Sequence, residues 1–306
     1  MSQNLPAAPH RPGALPSRLL SGLAAAGLFA ALAWADAHGT AKAPPMAWLL
    51  PLVIAVAAGA GREAVRLATA AGVPLAPGLV PLGAAVIAAA PALPLPETDP
   101  LATIGSAAVA TMSIIAAVFV SGVARYAAGD RSLARAVGSV ATAVAIGLPL
   151  AFMVGLRLIR VDADDTDPFV RLLPVVSLIA VVKAGDIAAY AVGSTLGRHR
   201  MAPVLSPGKT WEGAAASLAA SVAAAWLIIG PQMRGRSAGQ PLGGWPLYGV
   251  AVGVAGMLGD LAESLVKREL HAKDSGRLLG GMGGFLDLVD SLLLAAPVAW
   301  LLWVLG

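Results

Sequence analysis

The sequence predicts an all-α, polytopic integral membrane protein with about nine transmembrane helices, and three observations carry that prediction. Of its 306 residues, 58% are hydrophobic and only 12% charged, against about 25% charged in a typical soluble domain. Apolar stretches long enough to cross a bilayer, about 20 residues each, recur along the chain. Lys and Arg gather between alternate stretches. A soluble exterior could not cover so much apolar surface, so cytosolic, nucleic-acid-binding and disordered classes are excluded despite the net charge of +4. With no cysteine present, disulfides, thiolate metal sites and Cys nucleophiles are excluded too.

Taken in order, residues 1–17 are rich in Pro and polar side chains and lack the early apolar core of a signal peptide. They read as a disordered cytoplasmic tail, with Arg18 anchoring the first span. Spans are expected at 18–36, 45–61, 75–95, 101–123, 134–157, 170–190, 213–230, 245–266 and 285–305. Pro74, Pro77 and Pro81 interrupt the first half of the third, which a membrane helix tolerates when neighbours satisfy the freed backbone groups. With the N-terminus cytoplasmic, inner segments carry 15 of the 21 Lys and Arg residues and outer segments carry 6. Glu97, Asp99 and the cluster Asp162, Asp164, Asp165 and Asp167 fall outside. This satisfies the positive-inside rule and places the C-terminus outside.

The two halves differ. Residues 18–180 form N-terminal transmembrane helices with short loops and no chemical constellation, whereas 181–306 form a C-terminal region with long polar cytoplasmic loops. No internal repeat suggests an inverted-repeat transporter. Chemistry is expected in the second half, at the cytoplasmic face.

Three clusters of polar residues stand out there. Asp260, Glu263, Ser264, Lys267 and Arg268 end the eighth span within roughly 140° of one helical face. Lys267 and Arg268 fit headgroup snorkelling as well as catalysis, but acids at the margin of a membrane helix point to function. Next come Lys273, Asp274 and Gly276, then Gly280, Gly281, Gly283 and Gly284, then Asp287 and Asp290. The glycines allow close backbone approach to a ligand. Asp287 and Asp290 share one direction, and two such charges beside Asp260 call for a counter-charge, usually a divalent cation. A helix cap would explain one aspartate but not all three.

The third cluster runs from Lys183, Gly185 and Asp186 through Gly193, Gly197 and Arg198 to Ser206-Pro-Gly-Lys-Thr-Trp-Glu-Gly213. Lys183 and Asp186 suit an internal ion pair. The Gly208-Lys209-Thr210 triplet fails as a phosphate loop, because Pro203 stands where that motif needs its first Gly. Pro207 and Gly208 are expected to make a turn in a substrate-covering loop, with Lys209 as a point charge for phosphate. Trp211 suits either base stacking or interface anchoring. Together the clusters offer carboxylates for metal, cations for phosphate and flexible backbone, which is the equipment of phosphoryl or nucleotidyl transfer.

The run from Ser264 through Lys267-Arg268, Lys273-Asp274, Gly276 and Gly283-Gly284 to Asp287 and Asp290 resembles the signature of the phosphatidate cytidylyltransferase (CDP-diacylglycerol synthase) family. Gly259-Asp260-Leu261 with Glu263, and the segment 206–213, are similar to that family's as well. The resemblance covers roughly residues 183–290. Two positions depart from it: Met282 stands in place of a His and Leu288 in place of an Arg.

The resemblance implies that CTP and phosphatidic acid become CDP-diacylglycerol and pyrophosphate in phospholipid biosynthesis. It also implies a Mg²⁺ requirement, a homodimer and a multi-pass place in a bacterial-type inner membrane. Asp260, Asp287 and Asp290 would hold the metal, while Lys267, Arg268, Lys273 and Lys209 neutralise phosphate. Asp186 would order the loop or a second cation such as K⁺. Asp260, Lys267, Arg268, Lys273 and Asp287 form the expected catalytic set, and Ser206, Lys209, Thr210, Glu263, Ser264, Gly283, Gly284 and Asp186 the substrate contacts. Three alternatives are a CTP-dependent lipid kinase of the polyprenol type, a transporter or channel, and a catalytically weakened homologue.

Overall fold

The computed structural model describes residues 14–38, 46–93, 100–126, 131–161, 167–233, 239–272 and 284–306. Among them are nine α-helices: α1 (Ala14–His38), α2 (Leu50–Ala70), α3 (Leu79–Ala89), α4 (Pro100–Ala124), α5 (Ser132–Leu158), α6 (Pro168–Thr195), α7 (Trp211–Gln232), α8 (Gly244–Glu269) and α9 (Phe285–Val304). Each corresponds to one expected apolar segment. The tail 1–13, Lys42, Glu97, Asp99, Asp162, Asp164, Asp165, Arg234, Arg236 and the segment 273–283 lie outside the described residues.

Among the described residues six helices, α4 to α9, are long and apolar enough to cross a membrane, so this is a multi-pass membrane protein. Helix α2 carries Arg62, Glu63 and Arg66. Helix α3 has 11 residues, a length of about 17 Å at 1.5 Å per residue, short of the roughly 30 Å hydrocarbon core. It continues only into a 3₁₀ turn, Ala90–Ala92. The prolines explain its lateness: Pro74 and Pro77 stay in the preceding turn, and helix begins at Leu79.

The all-α expectation needs one correction. Arg200–Ala202 (β1) and Ser206–Thr210 (β2) pair as an antiparallel hairpin. The turn lies at 203–205, not at Pro207-Gly208, which sit within β2. The register is irregular between Arg200 and Ala202, the kind of edge position at which a strand accepts proline. The hairpin hands the chain into α7: the Thr210 hydroxyl accepts the Gly213 N–H at 3.1 Å as an N-cap, and Trp211 N donates to His199 O at 2.9 Å. Glu212 closes the same junction through His199 Nδ1 at 2.6 Å.

Lipid tails give helices no hydrophobic reason to associate, so close packing between small residues must do it. Gly185 of α6 and Gly253 of α8 both press on Ser221 of α7, where a Cβ would come within 2.7–2.8 Å of the serine hydroxyl. That hydroxyl donates to Val181 O at 3.1 Å. Deeper in the same bundle, Ser177 donates to the fully buried Tyr248 hydroxyl at 2.9 Å, and Tyr248 meets Trp303 edge-on. The end of the bundle remote from the hairpin is closed by Leu242 N–H donating to Leu302 O at 2.7 Å.

One buried ion pair ties α1 to the rest. Arg157 Nε reaches Asp36 Oδ2 at 2.7 Å, with the two side chains 8% and 1% exposed. Arg157, counted among the six outer cations, is therefore neutralised inside the protein. Asp167, expected in an acidic outer cluster, caps α6 by accepting the Phe169 N–H at 2.9 Å.

Two measurements check these assignments. Asp36→Ala strands a buried guanidinium and is expected to cost about 3–5 kcal/mol, read as a lowered unfolding temperature in detergent. Thr210→Ala removes only a cap and is expected to cost about 1 kcal/mol, with Thr210→Ser restoring it.

Candidate active site

Helix α8 ends in the polar face its spacing predicts, and α9 begins beside it. Between them opens a cleft of about 180 Å³ lined by Asp260, Glu263, Ser264, Lys267, Arg268, Ala272, Asp287 and Asp290. Seven of these eight are residues the sequence singled out; only Ala272 is new. Asp260, Glu263 and Asp290 bring one carboxylate oxygen each to within 4.8 Å of one another.

The cations are distributed around these acids. Lys267 Nζ contacts Glu263 Oε2 at 2.9 Å, one turn back on its own helix, and also pairs with Asp287 Oδ1 across the cleft. Lys209, carried in by β2, reaches Asp260 Oδ2 at 2.9 Å. Arg268 Nε donates to the Leu205 carbonyl at 3.2 Å. Two contacts thus fasten the hairpin over the polar end of α8, while Val204 at its tip is almost wholly exposed.

Asp287 does not join the acidic trio as a third ligand beside Asp260 and Asp290. One of its oxygens faces Lys267, and the other accepts the Gly284 N–H at 2.7 Å, capping α9. Glu263, expected as a substrate contact, is the acid that lies beside Asp260 and Asp290. Asp290 accepts from the Ser291 hydroxyl at 2.9 Å, and that hydroxyl also lies 3.4 Å from both oxygens of Asp186. Asp186 pairs with Lys183 at 3.1 Å, as expected. The α6 acid therefore sits at the margin of the cleft, linked to it through one serine.

Thr210 is buried with its hydroxyl engaged in the α7 cap, and Ser206 is half-buried in β2 opposite Ala202. Lys273, Gly283 and Met282 lie outside the described residues. Leu288, at the position where the resemblance expects Arg, packs against the apolar core.

The N-terminal half contributes a residue that the sequence reading passed over. Glu63 of α2 is fully buried, and its Oε2 accepts the Leu286 N–H of α9 at 2.9 Å. A signal existed: Val56, Ala60 and Glu63 follow one buried stripe of α2, and an acid on such a stripe is unusual.

The donor set fits a divalent cation. Glu263 Oε1 is buried without a hydrogen-bond partner, and Lys209 and Lys267 offset only part of the charge of Asp260, Glu263, Asp287 and Asp290, so a further cation would relieve the repulsion that remains. Oxygen donors of this kind suit Mg²⁺, which takes one or two carboxylates together with substrate phosphate.

The sequence model of the cytidylyltransferase family matches residues 16–305. The phosphatidate cytidylyltransferase of Brucella suis biovar 1 (strain 1330) is 43% identical over 159 residues, 51% of this chain and 55% of that one. The Haemophilus influenzae protein of the same name is 34% identical over 148 residues, 48% of this chain and 51% of its own. An Escherichia coli K12 protein named only as uncharacterized protein YnbB is 42% identical over 126 residues, 41% of each chain. The chain spans about half the length of the curated relatives it matches. Because the family match runs through both the apolar first half and the acidic cleft, this chain belongs to the cytidylyltransferase family.

Proposed function

We propose that the protein is a phosphatidate cytidylyltransferase, moving CMP from CTP to phosphatidic acid to give CDP-diacylglycerol and pyrophosphate. The observation that carries this reading is the cleft between α8 and α9, where Asp260, Glu263 and Asp290 converge beside Lys209, Lys267 and Arg268. The names of the relatives agree with it.

Mg²⁺, held by Asp260, Glu263 and Asp290, would mask triphosphate charge when bound. Asp186, one serine away, is the group available to a second cation such as K⁺. Lys267 and Arg268 from α8, with Lys209 from the hairpin, neutralise the phosphates of both substrates; Lys273 belongs to the same polar loop. Asp287 keeps Lys267 turned into the cleft. A phosphatidate oxygen attacks the α-phosphorus of CTP in line, the bond to the β-phosphate oxygen breaks, and pyrophosphate departs with its charge covered by lysine. The attacking oxygen is already anionic, so no strong general base is needed, and replacement of the family's His by Met282 does not remove the nucleophile. Catalysis in such a site rests on placement and charge neutralisation.

The site is assigned to the cytoplasmic face of a bacterial inner membrane, with the N-terminus inside, the C-terminus outside and α3 completing a short return through the bundle. Charge supports this. Arg62 and Arg66 on α2, Arg198, Arg200 and Lys209 around the hairpin, and Lys267 and Arg268 on α8 belong to one end of the bundle. A groove of about 390 Å³ adds Arg125 and Arg135 beside the end of α2. The homodimer is carried by the family resemblance.

The test is to incubate purified protein with labelled CTP, phosphatidic acid and Mg²⁺ and to identify both products. CDP-lipid with pyrophosphate is expected; CDP with a phosphorylated lipid would identify a kinase instead, and no product would favour a weakened homologue. Asp290→Asn and Asp260→Asn are each expected to lower turnover by about 10²–10³-fold without loss of membrane insertion. Near-normal turnover in either variant would remove that residue from the metal site.

A further inference from the structure

We propose that Glu63 is a positioning residue for the α9 half of the cleft, making α2 part of the catalytic scaffold; the inference rests on the cytidylyltransferase reading above. Glu63 is 0% exposed, although Arg62 and Arg66 beside it in sequence turn outward. Among the described residues, no Lys or Arg forms an ion pair with it. Burying a carboxylate in this way is costly unless something compensates. The compensation comes through Oε2 at the start of α9, where orphan backbone N–H groups and the positive end of the helix dipole favour an anion, while Oε1 is buried without a hydrogen-bond partner.

The cap of α9 is divided between two acids. Gly284 occupies the N-cap position and has no side chain with which to cap. Asp287, three residues on, reaches back to the Gly284 N–H at 2.7 Å. The Leu286 N–H goes instead to Glu63, 223 residues away in sequence, at 2.9 Å. Gly284 is needed for that arrangement, because a Cβ there would collide with both oxygens of the Glu63 carboxylate. The first turn of α9 is thereby fixed against α2, and the same turn aims Asp287 at Lys267. One turn further on, Asp290 faces Asp260 and Glu263. Glu63 does not line the cleft; it acts through the helix that does.

The experiment compares wild type, Glu63→Ala, Glu63→Gln, Gly284→Ala and the Glu63→Ala/Gly284→Ala double variant, all purified full-length. CDP-lipid formation gives kcat, KM for phosphatidic acid and the Mg²⁺ concentration for half-maximal rate; thermal unfolding in detergent is followed in parallel. Glu63→Ala is expected to lower kcat about 10–100-fold, the usual cost of losing a group that orients ligands. It should raise the Mg²⁺ requirement and leave KM for phosphatidic acid unchanged. Glu63→Gln, which keeps the shape and an acceptor oxygen, should recover most of the rate. In unfolding, Gly284→Ala should cost less in the Glu63→Ala background than in wild type. Wild-type kcat and Mg²⁺ dependence in Glu63→Ala, failure of Gln to outperform Ala, or additive unfolding effects would each overturn the proposal. The unfolding cycle needs no activity: absence of CDP-lipid from wild type would sink the functional reading, while additivity would sink the Glu63 contact alone.

Discussion

A single ammonium group organises the polar end of this molecule. Lys267 stands on α8 between Glu263 of its own helix and Asp287 of α9. Without that bridge, two helices would bring like charges together at a membrane margin, where repulsion is poorly screened. With it, the acidic face of α8 and the first turns of α9 meet, and a further carboxylate pair, Asp260 and Asp290, comes within reach of Glu263. Lys267 and Lys209 offset only two of the four negative charges of Asp260, Glu263, Asp287 and Asp290, and the surplus suits a multiply charged cation.

That centre is assembled from parts far apart in the chain. The hairpin after α6 supplies Lys209 and the carbonyl of Leu205; α2 supplies the carboxylate against the start of α9. Apolar helices could not hold these pieces in register by hydrophobic force alone, since lipid offers the same environment. The seam of Gly185, Ser221 and Gly253 brings α6, α7 and α8 close enough for short-range packing to do so.

Much of this was legible in the sequence. Each of the nine apolar segments became a helix, because long runs of Ala, Leu, Val and Ile leave the backbone no other way to satisfy itself in lipid. The face shared by Asp260, Glu263, Ser264, Lys267 and Arg268 follows from helical spacing alone. Spacing could not say which acids would pair with Lys267, and in the structure both Glu263 and Asp287 do. The hairpin escaped because strands of three and five residues carry no readable alternation, and Pro207-Gly208 imitates a turn. Glu63 could be marked as an acid on the buried stripe of α2, but its partner, Leu286, lies more than two hundred residues away, which no local pattern records.

The Asp36–Arg157 pair sets an order on biosynthesis. The acid of α1 emerges from the ribosome 121 residues ahead of its partner, an interval of roughly 6–24 s at ~5–20 residues per second. Throughout that time Asp36 lacks its ion-pair partner, and the buried contact that ties α1 to α5 can close only after Arg157 has been made.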